Sequence, residues 1–394
     1  MMKRYDVAVV GGGPSGLNVS KRLAERGLDV LLLERKSEIG THVICTGILG
    51  KEVFQKFDLA GDSVLREIKN VKVVSPYGSS MTYQHPAPFA YVVDRKKFDK
   101  YLAQEADSKG VEIELENRVL DIAVNRNDVE VTTKVEGGGL RKFSAKLAVI
   151  ATGIDTHLNK KLGLGYPKDF LNGAQAEIEI ENNDSTAVFV GKNIALGAFA
   201  WAVPTADRRV RIGLLTENDP IVCFERLMEK FYPEKTGDLD KKRIQVKAIA
   251  QGLVSKSYGD RVIALGEAAG QVKTTTGGGI YFGLLCSEIA SEVIMKSYQA
   301  GSFKSSRLAE YEKFWKRAIQ KEIVIGYYAR RIWARLNDMQ VEKIFQIARS
   351  DGIIPLIRDK GNFDWHSDLI LTLIKKFPFF SIFREIQESP IFQS

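Results

Sequence analysis

Six residues near the N-terminus, Gly11-Gly12-Gly13-Pro14-Ser15-Gly16, are spaced to bring bare backbone against a negatively charged group. Gly11, Gly13 and Gly16 fit G-x-G-x-x-G between the apolar run Tyr5–Val10 and a helical pattern that reaches Arg26 and stops at Gly27. Gly11 allows a tight turn, Gly13 lets backbone approach a pyrophosphate, and Gly16 lets helix and strand pack closely. A helix starting at Pro14 and Ser15 offers free N–H groups and the positive end of its dipole to phosphates. The next apolar run, Val30–Leu33, ends at Glu34 and Arg35, with Glu34 lying 18 residues beyond Gly16. A carboxylate there accepts hydrogen bonds from an adenosine ribose and disfavours a 2′-phosphate. Strand, helix, strand and acid in this order make a dinucleotide site.

That pattern does not by itself separate NAD from FAD. Ala148-Val149-Ile150-Ala151-Thr152-Gly153 closes a later strand as in proteins with a two-dinucleotide fold, and Arg261–Gly270 leads another strand into a small-residue turn holding Gly266 and Glu267. An acid in that turn can bond the ribityl or ribose hydroxyls of FAD. Gly277-Gly278-Gly279 then opens a helical stretch from Ile280 to Tyr298, a second helix start able to face a flavin. The order of these segments favours FAD.

The elements that must position these groups fit an ordinary globular chain. With 394 residues, 44% of them apolar and 27% charged, the chain is long enough for two or three domains and excludes a disordered or disulfide-scaffold protein. Uncharged apolar stretches such as Ile194–Pro204 are near ten residues, short of the roughly 18 that span a bilayer. Cys45, Cys223 and Cys286 are too scattered for disulfides or zinc, and the four histidines form no cluster, so no metal and a reducing cytoplasm are expected. The net charge is +8, and residues 301–394 carry 16 Lys/Arg against 11 Asp/Glu. That bias suits a solvated helical face or an anionic lipid surface. No nucleic-acid module is present in the sequence.

The chain resembles the geranylgeranyl reductase family within the p-hydroxybenzoate hydroxylase-like flavoproteins, from Tyr5 to about Tyr298. The resemblance is carried by Gly11–Gly16, Cys45-Thr46-Gly47, Tyr91–Asp99, Phe199–Pro204 and Gly266–Gly283. It implies that Ile44, Cys45, Thr46 and Gly47 lie beside the isoalloxazine and that Arg95 and Val119 contact FAD. It further implies that Gly278, Gly279 and Ile280 cover the flavin, and that Phe199, Trp201, Val203 and Pro204 line the substrate cavity. The implied activity is saturation of double bonds in a polyprenyl chain on a lipid or quinone, with electrons from a ferredoxin-like protein or NAD(P)H. Cys45 is then the candidate proton donor. Four positions depart from the pattern: Glu267 and Thr152 replace aspartates, Thr46 is inserted in a Cys-Gly pair, and Thr205 replaces a lysine.

An α/β architecture follows, with a doubly wound FAD-binding domain formed by residues 1–60, 92–170 and 252–300. A substrate domain of antiparallel sheet is expected from 61–91, as a hairpin, and from 171–251, with strands at Ala174–Ile180, Ile194–Val203, Val210–Leu215 and Ile244–Ile249. Residues 301–394 form a helical region in which Tyr311, Phe314, Trp315 and Ile319 share one face. Leu369–Ile386, with Phe377-Pro378-Phe379-Phe380, suits either a surface that dips into a membrane or a helical cap on the core. Two other functions use the same fold: a flavin monooxygenase or halogenase, and a flavoprotein that relays electrons to a partner.

Overall fold

The computed structural model describes residues 3–376, apart from 60, 136, 182–184, 206–207, 238–239 and 351–352. The part of the Leu369–Ile386 segment that includes Phe377–Phe380 therefore lies outside the described residues.

An eight-stranded sheet is built on Arg4–Val10. This strand runs parallel between Val30–Leu33 and the second half of the long strand Gly138–Ile150; Val262–Ala264 continues the parallel order on one side and Glu112–Glu114 on the other. Strands buried on both faces must be apolar throughout, and all of Val30–Leu33 is buried. Successive side chains alternate between the two faces. Val7 and Val9 pack against the helices Pro14–Ala24, Arg95–Ser108, Ile280–Gln299 and Ser305–Trp333, whereas Ala8 and Val10 lie on the other face. That second face is covered by the antiparallel ribbon Asn117–Val124, Val129–Val135 and the first half of Gly138–Ile150.

A seven-stranded sheet has the order Gln245–Gln251, Asp169–Glu179, Arg209–Thr216, Ala200–Pro204, Thr186–Phe189, Asn70–Val74, Ser80–Gln84. Its pairs are antiparallel except Thr186–Phe189 with Asn70–Val74, so the hairpin from residues 70–84 extends the sheet. One face packs on the helix Pro220–Phe231, through Ala174, Ile212 and Leu214 against Phe224 and Leu227. That helix starts where Asp219 accepts hydrogen bonds from the N–H groups of Ile221 and Val222, with Pro220 at its first position. The opposite face meets a three-stranded sheet of Ile48–Gly50, Ala90–Val93 and Val64–Ile68.

Two expectations change. Ile194–Val203 is not one strand: Lys192–Ala195 is a helical turn, Gly197 bends the chain at φ +75°, and the strand is Ala200–Pro204. A continuous apolar run hides such a bend because both halves are buried. Phe314 leaves the buried face of its helix and is 36% exposed, while Tyr311, Trp315 and Ile319 are fully buried. Its ring instead lies near the Lys296 ammonium, 5.9 Å from the ring centre.

Trp315 also donates from Nε1 to Ser257 Oγ at 2.9 Å, and the Tyr311 hydroxyl donates to the Ala264 carbonyl at 2.9 Å. The long helix thus belongs to the core beside the Val262–Ala264 strand. Trp315→Ala should lower unfolding free energy by about 3–5 kcal/mol in a denaturant titration. A loss below about 1 kcal/mol would mean that the helix packs only peripherally.

Candidate active site

The glycine turn is shaped by close backbone approach. A Cβ on Gly11, which has φ +113°, would lie 2.4 Å from the Ala151 carbonyl oxygen, and one on Gly16 would lie 2.0 Å from the Gly11 carbonyl oxygen. Gly13 is different: a Cβ there would meet nothing within 4 Å, so the space before the helix is open. Pro14 and Ser15 start the helix, and no side chain among the described residues caps its N-terminus. The unpaired N–H groups of that first turn are what a pyrophosphate needs. Ser15 Oγ fits against two other glycines, since a Cβ would come 2.7 Å from it at Gly266 and 2.2 Å at Gly283.

Glu34 lies at the end of the neighbouring strand, accepting from Gly12 N–H at 2.7 Å and Lys36 N–H at 3.1 Å. Each carboxylate oxygen retains acceptor capacity for a ribose hydroxyl. Arg35 is exposed, 3.9 Å from Asp155. Val119 lies on the strand whose first residue, Asn117, donates its N–H to the Glu34 carbonyl at 2.9 Å. Glu267, in the turn Gly266–Ala269, is 3.2 Å from the Lys247 ammonium of the seven-stranded sheet. The Thr152 hydroxyl donates to the Asp155 carbonyl at 2.7 Å. Gly278, Gly279 and Ile280 form the turn into the helix Ile280–Gln299; here Lys273 N–H donates to the Gly278 carbonyl at 2.9 Å.

Cys45 sits in a loop held from both sides. Gly47, at φ +74°, donates its N–H to Cys45 Sγ at 3.3 Å, and its carbonyl accepts from Val93 N–H at 2.8 Å. Two residues beyond Val93, Arg95 makes a two-pronged pair with buried Asp99 at 2.9–3.2 Å. Burial pushes the Cys45 thiol up, but Arg95, the Gly47 N–H and Lys247 together bring it below the ordinary thiol value. From the seven-stranded sheet, Gln175 donates to the Cys45 carbonyl at 3.4 Å and Arg211 donates to the Thr46 carbonyl. Arg211 is fixed in turn by Glu177 at 2.6 Å. Ile44 precedes this group, half-buried.

Trp201 lies beside those contacts, because Gln175 pairs with Gly213 and Gly213 with Trp201 across adjacent strands. The indole covers Gly213, where a Cβ would come 2.6 Å from Trp201 Cζ2. Trp201 and Val203 are buried in the cluster between the two sheets, and Phe199 packs at its edge with its ring 5.9 Å from that of Trp201. Pro204 ends the strand, and the carbonyl of buried Thr205 accepts from Arg66 Nε at 2.9 Å.

Sequence reasoning missed the residues that hold this site from afar. Lys247, Gln175 and Arg211 sit on strands that the sequence pattern located without indicating their partners. Lys273 and Asp364 form a buried ion pair at 2.6 Å, and nothing local to either residue signals it. Beside it His366 Nε2 donates to the Phe363 carbonyl at 3.0 Å while Nδ1 accepts from the Thr275 hydroxyl at 2.6 Å, in the neutral form.

The sequence profile of the FAD binding domain family matches residues 4–313. A digeranylgeranylglycerophospholipid reductase of Methanosphaera stadtmanae is 30% identical over 362 residues, covering 89% of each chain. The chain belongs to the geranylgeranyl reductase family of FAD-binding flavoproteins. A geranylgeranyl bacteriochlorophyll reductase-like protein from Thermoplasma acidophilum has the same fold, with TM-score 0.83 at 21% identity over 98% of this chain and 100% of the other. A flavin-dependent brominase shares the fold less closely, with TM-score 0.71 at 18% identity over 95% and 99% of the two chains. The protein is accordingly an FAD-dependent oxidoreductase. Its residues fit the cofactor: an open, uncapped helix start at Gly13, a carboxylate with acceptor capacity to spare at Glu34, and a second acid at Glu267 in the turn that follows Val262–Ala264.

Glu34→Ala should weaken FAD binding by about 1.5–3 kcal/mol, the scale of a lost hydrogen bond to a charged group, in a flavin-fluorescence titration. Unchanged affinity would remove Glu34 from the site. A second expectation concerns acid. Burial and then Lys273 push His366 down to about 4 from the ordinary 6.5, although the Phe363 carbonyl favours its protonated form. The unfolded chain therefore takes up the proton first. The stability contributed by neutral His366 is complete above about 6.5 and is lost as pH falls through about 4. His366→Gln should flatten the fall of Tm across that window; an unaltered curve would show that His366 does not couple to it.

Proposed function

We propose that this flavoprotein saturates carbon–carbon double bonds in a polyprenyl chain carried on a lipid or quinone. The observation that carries the reading is one juxtaposition. The strand face bearing Trp201 and Val203 is joined, through Gln175 and Arg211, to the carbonyls of the Cys45–Thr46 loop. A thiol thus stands at the edge of an apolar, aromatic surface. The reductase names of the relatives supply the matching substrate class.

Reduced FAD, when bound, supplies a hydride for one carbon of the alkene. The other carbon needs a proton, and Cys45 Sγ is the donor. The Gly47 N–H and Arg95 stabilise the thiolate left behind, and solvent restores the proton. An isolated alkene has no carbonyl to polarise, so fixing the chain against these groups must supply much of the rate. Phe199, Trp201 and Val203 do this by apolar contact and exclude water. Arg95 and Asp99 fix the start of the Arg95–Ser108 helix beside the loop.

Electrons come from a ferredoxin-like protein or NAD(P)H. Among the described residues no helix is long and apolar enough to cross a membrane, so a membrane-borne substrate would have to be met at an interface. The positive net charge supports an anionic lipid surface as the meeting place.

Reduced enzyme mixed with a geranylgeranyl lipid in detergent should give products heavier by one hydrogen pair per step, read by mass spectrometry. If the enzyme stays reduced with every prenyl lipid or quinone tried, yet oxidises while hydroxylating or halogenating an aromatic compound, the reading fails. Cys45→Ser should keep the flavin spectrum and Tm while lowering turnover by about 10²-fold, the scale of general-acid catalysis. In the wild type, turnover should fall as pH rises through the thiol's lowered pKa, because the proton is then already gone. Turnover untouched by the substitution would make Cys45 a packing residue.

A further inference from the structure

The loop Asn362–His366 lies between the helices Ile353–Lys360 and Ser367–Lys376, beyond the residues matched by the FAD binding domain profile. It nevertheless folds back to the centre of the molecule. Asn362 Oδ1 accepts from Asp364 N–H at 2.8 Å and Trp365 N–H at 3.3 Å, closing a tight turn. Phe363 at its tip packs against the cluster that contains Trp201, Val203 and Leu215.

Phe363 is held on several sides. Its carbonyl accepts from Lys273 Nζ at 3.2 Å and His366 Nε2 at 3.0 Å, and the same ammonium lies 4.8 Å from its ring centre. The Phe89 ring is 6.4 Å away, and a Cβ on Gly50 would be 3.0 Å from Phe363 Cδ1. Gly50 ends the short strand that leaves the Cys45 loop. Lys273 also holds the glycine turn, through its N–H to the Gly278 carbonyl at 2.9 Å and its own carbonyl from Gly277 N–H at 2.8 Å. One aromatic ring therefore meets the strand from the Cys45 loop and the apolar sheet face, and the ammonium beside it belongs to the residue that holds the glycine turn.

Phe363 is half-buried, not fully enclosed. Phe363, Phe89 and Phe199 all keep water-accessible surface although they sit around a buried apolar cluster between two sheets. Apolar surface left open there is surface for an apolar ligand. On the function proposed above, we infer that Phe363 is the wall that limits how far a prenyl chain enters, and so a specificity-determining residue. Lys273 and Asp364 make that wall rigid. Their ion pair is buried, and removing either partner would strand the other's charge. A fixed stop sets which chain length fits, and which double bond comes to rest beside Cys45.

The test compares geranylgeraniol with its homologue one isoprene unit longer, by tryptophan-fluorescence titration of the FAD-loaded protein and by turnover in detergent. Phe363→Ala and the gentler Phe363→Leu are compared with wild type, with flavin absorbance and Tm as controls. The wall predicts that Phe363→Ala raises the affinity ratio of longer to shorter alcohol by about 10-fold, a usual size for one pocket contact. Phe363→Leu should give a smaller rise with full flavin content. A fall in Tm with an unchanged ratio in both variants would make Phe363 a packing residue and overturn the inference alone. Wild type that binds and reduces neither alcohol would overturn the proposed function with it.

Discussion

Three backbone segments meet at a distance that admits no side-chain carbon. The Ala151 carbonyl, the Gly11 turn and the first turn of the Pro14–Ala24 helix approach so closely that a Cβ at Gly11 or Gly16 would overlap backbone oxygen. This contact fixes the helix start at the ends of two parallel strands, where its free N–H groups face open space. The second glycine set is matched to the first. Ser15 Oγ lies where side chains at Gly266 and Gly283 would have to be, so the turn after Val262–Ala264 and the helix Ile280–Gln299 close on the same point. Larger residues at these positions would push apart the elements that carry Glu34 and Glu267.

The seven-stranded sheet joins this frame through polar contacts at the site. Gln175 and Arg211 reach successive carbonyls of the Cys45 loop, while Lys247 reaches Glu267. The sheet's other face is a separate apolar core with the Pro220–Phe231 helix, so the sheet is stabilised independently of the site. Lys247 and Glu267 are part-exposed, and such a pair contributes at most about 1 kcal/mol. Its importance is geometric. It places a cation from the seven-stranded sheet against an acid in the turn that follows the Val262–Ala264 strand of the other sheet.

What could be read from sequence was local. The strand–glycine–helix–strand–acid unit spans Tyr5 to Glu34, and each of its constraints acts within a few residues, so spacing alone reveals it. The long helix after Ser305 also announced itself by period, although one of its four expected core residues, Phe314, turned to solvent. At Ile194–Val203 composition misled, because burial of both halves concealed the turn that Gly197 makes. The contacts around Cys45 could not be read at all. Gln175 and Arg211 lie 130 and 165 residues from their loop partners, and Lys273 lies 91 residues from Asp364. Such pairings exist only once the sheets have been assembled.

The Lys273–Asp364 pair shows what the assembled fold adds to a site that is otherwise apolar. Burying two charges is costly, and a pair of well-packed apolar residues often stabilises a protein as much or more. An ammonium, however, offers three directed donors and a field. Here it reaches a carboxylate and a carbonyl while lying near the face of an aromatic ring. Apolar contacts tolerate sliding and rotation; these contacts together leave little freedom of either kind. A ring that must mark a fixed depth beside featureless methylene and alkene carbons needs that rigidity more than it needs the last increment of stability. The Asp364 carboxylate still carries an oxygen without a hydrogen-bond partner among the described residues. The anchor therefore retains part of its desolvation cost, as expected where geometry is held at the expense of stability.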